Sequence, residues 1–96
     1  MNVIFHPLVQ QDLDGIVAYY DKKSESLSEE FYVELLKATQ RAASSPGQCR
    51  TDLNGLRRCN LKRFPYHFLF RSQNDAIKIS VVRHNRRNPL FGIRRQ

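Results

Sequence analysis

Apolar residues follow two different periods along this chain, and the period changes near Leu56. Before it the spacing is that of helices; after it apolar and polar positions alternate. A short strand over Asn2–Phe5 comes first, because Val3, Ile4 and Phe5 favour extended backbone. Pro7 then fits the first position of a helix, where its missing N–H costs nothing. Val9, Leu13, Ile16, Val17 and Tyr20 form one helical stripe, predicting a helix over about Pro7–Asp21 with Asp12 and Asp14 off the stripe. Lys22–Glu25 is a polar break, and Ser26 with Glu29 three residues on has the form of a capping box. The next stripe runs through Leu27, Phe31, Leu35, Ala38 and Ala42, widened by Tyr32 and Leu36, until Ser44-Ser45-Pro46-Gly47 stops it. Two such helices with a short polar link predict an antiparallel helical hairpin.

Beyond Leu56 the pattern predicts strands over Arg57–Lys62, Tyr66–Arg71 and Ala76–Arg83, with Ser72–Asp75 as a turn. If those four residues are the whole turn, Phe70 faces Ile77, Phe68 faces Ile79 and Tyr66 faces Val81. That apolar side is the one the helices should cover. The other side then carries His67, Leu69, Arg71, Lys78, Ser80 and Val82, with His84 just beyond, and Arg58 and Lys62 joining from the preceding strand. A register slipped by one residue would bury Arg71 and Lys78 unpaired, which is too costly to accept. The expected fold class is α+β, a helix-backed antiparallel sheet with a basic, partly apolar open face, in a single domain spanning residues 1–96.

Charge sharpens this picture. The chain carries a net +7, but residues 1–48 hold four Lys/Arg against seven Asp/Glu, a net of −3, and residues 49–96 hold twelve against two, a net of +10. Such a split predicts an anionic partner for the second half, either nucleic acid or an acidic protein segment. An apolar fraction of 41% suffices for one modest core, which argues against wholesale disorder. No apolar run is long enough to span a bilayer and no secretory leader precedes the first strand, so the expected location is the cytoplasm, with no membrane partner. Cys49 and Cys59 form no CxxC, and His6, His67 and His84 are scattered, so neither metal nor cofactor is expected; the cysteines read as free thiols in a reducing compartment.

Several segments, in this order, resemble the RelE/ParE superfamily of type II toxins. They are Phe5-His6-Pro7 leading to Asp12-Leu13 and Tyr19-Tyr20, Pro46 after the second helix, and Gly55-Leu56-Arg57-Arg58. They continue with Leu61-Lys62-Arg63-Phe64-Pro65-Tyr66-His67-Phe68-Leu69-Phe70-Arg71, then Val82-Arg83-His84-Asn85-Arg86-Arg87-Asn88-Pro89 and Arg94. The resemblance implies a short N-terminal strand and an antiparallel two-helix hairpin packed on a curved antiparallel β-sheet. It also implies a cognate antitoxin with an acidic or amphipathic C-terminal segment, assembling with the toxin as a hetero-oligomer. Two activities come with the superfamily. ParE-like members poison DNA gyrase without cutting; RelE-like members cut mRNA on the ribosome.

If the chain were an RNase, Arg58, Lys62, His67, Arg71 and His84 would have to supply the cations and the acid or base. Against that, Asn60 falls where the resemblance suggests a cation, Phe91 falls near the place of a C-terminal tyrosine, and residues 49–96 contain no Glu. The motifs LKRFPY and HNRRNP are also closer to ParE, so the expected function is gyrase inhibition with no catalytic residue; a binding module without toxicity is the third reading. The residues expected to meet target or antitoxin are Arg58, Lys62, His67, Leu69, Arg71, Lys78, Arg83, His84, Arg86, Arg87, Phe91 and Arg94. The bland alternatives are a surface role for His67, a solvated tail for Arg86, Arg87, Arg94 and Arg95, and an ion pair from Arg57 or Arg58 to Asp12 or Asp14.

Overall fold

A computed structural model describes all 96 residues. The chain runs β1 (Asn2–Phe5), α1 (Val9–Asp21), α2 (Glu25–Ser44), β2 (Arg50–Thr51), β3 (Arg57–Asn60), β4 (Tyr66–Gln73) and β5 (Ala76–His84). The five strands form one sheet in the order β1-β5-β4-β3-β2. It is a mixed sheet: β1 lies parallel to β5, and every other pair is antiparallel. The two helices pack on one face of it. Between them lies the main core, which includes Leu13, Tyr20, Phe31, Leu35, Phe64, Phe68, Phe70, Ile77 and Ile79.

Both helical stripes point inward as their spacing dictates. Val9, Leu13, Ile16 and Tyr20 are buried from α1, and Phe31, Leu35, Ala38 and Ala42 from α2. The widening residues Tyr32 and Leu36 instead stay exposed. Helix ends differ from expectation for local reasons. Helix α1 starts two residues after Pro7, because His6 accepts both backbone N–H groups ahead of the first turn: its Nδ1 takes that of Leu8 and its carbonyl that of Val9. Helix α2 starts at Glu25 with Ser24 as its flanking residue, and no side chain caps it. The Ser26–Glu29 capping box therefore does not form. Ser28 turns inward instead, donating to Asp21 at the end of α1 and tying the helices together.

The β4–β5 register corrects the expected one. The turn is only Asn74-Asp75, with Asn74 at φ 54°, so Gln73 faces Ala76, Arg71 faces Lys78 and Phe70 faces Ile79. The next pair is Leu69 with Val81, so Ser80 is an extra residue, a β-bulge. The bulge inverts the parity of all that follows in β5. Val82 joins the main core beneath the helices, and Val81 turns to the opposite face. His84, expected beside His67, instead faces Tyr66 and meets its ring edge-on at 5.1 Å between centroids.

Candidate target-binding face

The sheet face away from the helices begins as a register pattern. Arg58 faces Leu69, Asn60 faces His67, Leu69 faces Val81 and His67 faces Arg83. Arg71 and Lys78 continue the same face toward the turn. The sequence reading placed Arg58, His67, Leu69, Arg71 and Lys78 together, and the structure does so too. It also expected this face to be open, and that is corrected. The segment after β5 folds back over it, and Leu56, Leu69, Val81 and Ile93 form a second small core with Phe91 against them.

Several contacts hold this strap down. Arg83 is 4% exposed and donates from Nη1 to the carbonyls of Pro89 (2.9 Å) and Phe91 (2.7 Å). Gly92, at φ 82°, lies so close to β5 that a Cβ there would sit 2.6 Å from Val81 Cβ. Arg95 forms a two-pronged ion pair with Asp12 of α1, at 2.7 and 3.1 Å, with both side chains almost buried. That pair also serves the bulge. Asp12 accepts the Val82 N–H, and Arg95 donates to the Ser80 carbonyl, so backbone groups beside the extra residue are satisfied by side chains. Asp12 therefore pairs with Arg95, not with Arg57 or Arg58. Arg57 donates to the Cys49 carbonyl, and Arg58 to the Asn60 side chain.

Beneath the strap, His67 is 1% exposed. Arg83 Nε donates to His67 Nε2 at 2.8 Å, and His67 Nδ1 lies 2.9 Å from Asn85 Oδ1. Arg has no lone pair to offer, so Nε2 must be the acceptor and Nδ1 must carry the proton. Burial pushes the His67 pKa down to about 4, with the Arg58 and Arg83 charges adding to the depression and the Asn85 hydrogen bond opposing it. The imidazole is thus neutral, with both nitrogens committed. His67, Leu69 and Arg83 belong to the interior and cannot touch a partner while the strap is closed.

The remaining predicted residues divide into separate places. Arg71, Lys78 and Arg94 line a groove of about 550 Å³ with Asn54, Gln73 and the end of the chain. Arg87 lies over the Phe91 ring at 4.1 Å, with Arg95 at 5.1 Å from the same centroid, beside His84 and the exposed Tyr19. Arg86 is exposed, and its backbone N–H donates to His84 Nδ1. Lys62 departs from the reading. It lies past the end of β3, next to Glu29, Glu30 and Glu34 of α2, because Glu34 accepts the backbone N–H of both Lys62 and Arg63. The pairing of Asp12 with Arg95 is what sequence reasoning missed. The only sequence signal was an acid beside a helical stripe, with no hint of a partner 83 residues away.

A helical hairpin on one side of a small sheet, with a basic strapped face on the other, defines the α+β scaffold that the sequence motifs resemble. The family model described as "ParE toxin of type II toxin-antitoxin system, parDE" matches residues 3–89. The chain belongs to this family and is a type II toxin, a protein whose counterpart is an antitoxin. Among solved structures, the "Chromosomal ParDE TA system from P. aeruginosa" contains a chain of similar fold, with a TM-score of 0.76 and 18% identity, over 88% of this chain and 95% of that one. No curated protein matches. No helix is long and apolar enough to cross a membrane.

Proposed function

We propose that this toxin acts by binding rather than by cutting: it inhibits DNA gyrase in the cytoplasm through its basic C-terminal half. The supporting observation is how fully the sheet face is already used. RNA cleavage needs a group that can exchange a proton near neutrality. His67 is neutral, buried and engaged at both nitrogens, and Arg83 is spent on His67 and two strap carbonyls. Phe91 offers no hydroxyl. His84, the other imidazole of the predicted set, lies on the opposite face of the sheet.

The antitoxin contributes an acidic or amphipathic C-terminal segment that forms the hetero-oligomer. Carboxylates suit the groove of Arg71, Lys78 and Arg94. The apolar side of such a segment suits a second groove of about 260 Å³ between the β1–α1 link and α2, lined by Phe5, Leu13, Tyr32 and Leu36 among others. Beside it β1 is an edge strand with Ile4 and Phe5 exposed, and Leu8 is exposed in the link to α1.

The purified chain should block negative supercoiling by gyrase and raise the yield of cleaved DNA complexes, with added antitoxin reversing both. Intact gyrase activity at a large molar excess rejects the target. Codon-positioned cuts in a translating extract would replace the reading with an RNase.

A further inference from the structure

Cys49 and Cys59 take no part in the face described above, yet the fold sets them against each other. Strands β2 and β3 pair Arg50 with Arg58 and Thr51 with Arg57, so one step further along the same ladder Cys49 stands opposite Cys59. Cys49 keeps extended backbone, at φ −85° and ψ 137°. Asp52 N–H donates to the Leu56 carbonyl at 2.7 Å, which marks that couple as hydrogen-bonded. Pairs alternate along an antiparallel ladder, so Cys49 and Cys59 form a non-hydrogen-bonded pair. In keeping with that, the Cys49 carbonyl is taken by the Arg57 guanidinium. Non-hydrogen-bonded partners stand with Cα atoms about 4.5 Å apart, within the span of about 4.4–6.8 Å that a disulfide accommodates. Both side chains pack against the main core, on the helix side of the sheet, and both are half-buried free thiols. Burial raises the Cys59 pKa to about 11, and the neighbouring Cys49 adds to the rise.

We propose that Cys49 and Cys59 are a modification site, a dithiol that closes to a cross-strand disulfide by exchange with a small-molecule disulfide. The Cys59 thiol is held protonated near neutrality, and the exchange begins with attack by the Cys49 thiolate. It forms a mixed disulfide and expels one thiolate of the oxidant. Cys59 then loses its proton to solvent and attacks Cys49 Sγ. The bond to the small molecule breaks, and the second thiolate leaves. Two protein thiols are oxidised by two electrons, and one small disulfide is reduced to two thiols.

The product would pin the loop between the two cysteines. That loop carries Asn54, whose side chain donates to the Ile93 carbonyl of the strap and whose own carbonyl accepts from Arg71. Oxidation therefore stiffens one wall of the basic groove. This inference is independent of the toxin's target.

The test is incubation of the full chain with oxidised glutathione, followed by intact-mass and peptide analysis. The expected product has lost two hydrogens, retains no glutathione, and links the Cys49 peptide to the Cys59 peptide. Closure should speed up as pH rises, since thiolate limits it. Cys59→Ser should accumulate glutathione on Cys49. The oxidised native chain should unfold at higher urea than the reduced one, a gain erased by reductant. Stable glutathione adducts without closure, or disulfides formed only between chains, overturn the proposal. Because mass analysis of the native chain decides alone, a Cys59→Ser variant that failed to fold would not rescue it.

Discussion

His67 is held neutral because it is buried beside a guanidinium that needs its lone pair, and this makes its pH behaviour predictable. Its folded pKa, about 4, lies below the ordinary histidine value near 6.5. As pH falls through the ordinary value, the unfolded chain takes up a proton that the folded chain refuses. Stability from this group is therefore full above about pH 6.5, declines as pH falls from there to about 4, and levels below that. The whole loss is at most roughly 3 kcal/mol. Urea unfolding near pH 7 and near pH 5 should show the decline in the native chain, and His67→Gln should remove its share of it. An imidazole resonance titrating near the ordinary value would contradict the assignment. A second residue-scale consequence is mechanistic: a histidine locked in this way stabilises a strand pair and moves no proton.

Among the elements, the strap is the one that decides what the sheet can do. It covers a face that would otherwise expose Leu69 and Val81, both fully buried. It comes close to the sheet at Gly92, where the positive φ and a Cβ that would sit 2.6 Å from Val81 leave room only for glycine. Gly92→Ala should cost about 2 kcal/mol or more, from left-handed strain plus overpacking. It should also raise amide exchange in residues 88–96 and around His67 while leaving α1 and α2 protected. Uniform loss of protection across the chain would mean that the strap and the main core open together. The same element joins distant parts of the chain, since Arg95 reaches Asp12 and thereby seals the bulge in β5.

Viewed as a whole, the molecule balances its charges on one side and leaves an excess of cations on the other. The acids of α2, Glu29, Glu30 and Glu34, meet Lys62 and Arg63 on the helical side. Arg71, Lys78 and Arg94 gather across the sheet, where the one nearby ion pair, Arg95 with Asp12, is already closed. This arrangement predicts antitoxin binding that weakens with salt. Arg71→Glu combined with Lys78→Glu should lower antitoxin affinity about tenfold or more and flatten its salt dependence, as read by titration calorimetry. Both positions are half-exposed, so unfolding curves close to the native ones are expected. Unchanged affinity would put the acidic segment elsewhere, and the apolar groove at Phe5 and Tyr32 would then carry the complex.

The amino-acid sequence by itself determined the local elements. Periodicity delivered both helices and the three longer strands, because each stripe has to bury itself whatever its surroundings, and the extended preference of Val3, Ile4 and Phe5 delivered β1. It also put Arg58, His67, Leu69, Arg71 and Lys78 on one face, since alternation within a strand is local. The two-residue strand β2 left no such trace, being too short to have a period. What lay between strands was decided by tertiary contacts. The extra residue at Ser80 exchanged Val81 for Val82 and moved His84 to the other side, and the backbone beside it is satisfied by Asp12 and Arg95, which meet across the fold. The same distant contacts brought the strap onto the sheet, so a face that reads as open from its strands alone is closed. Periodicity measures only how a residue sits relative to its neighbours in the chain. Whether a face is covered depends on segments far away in sequence.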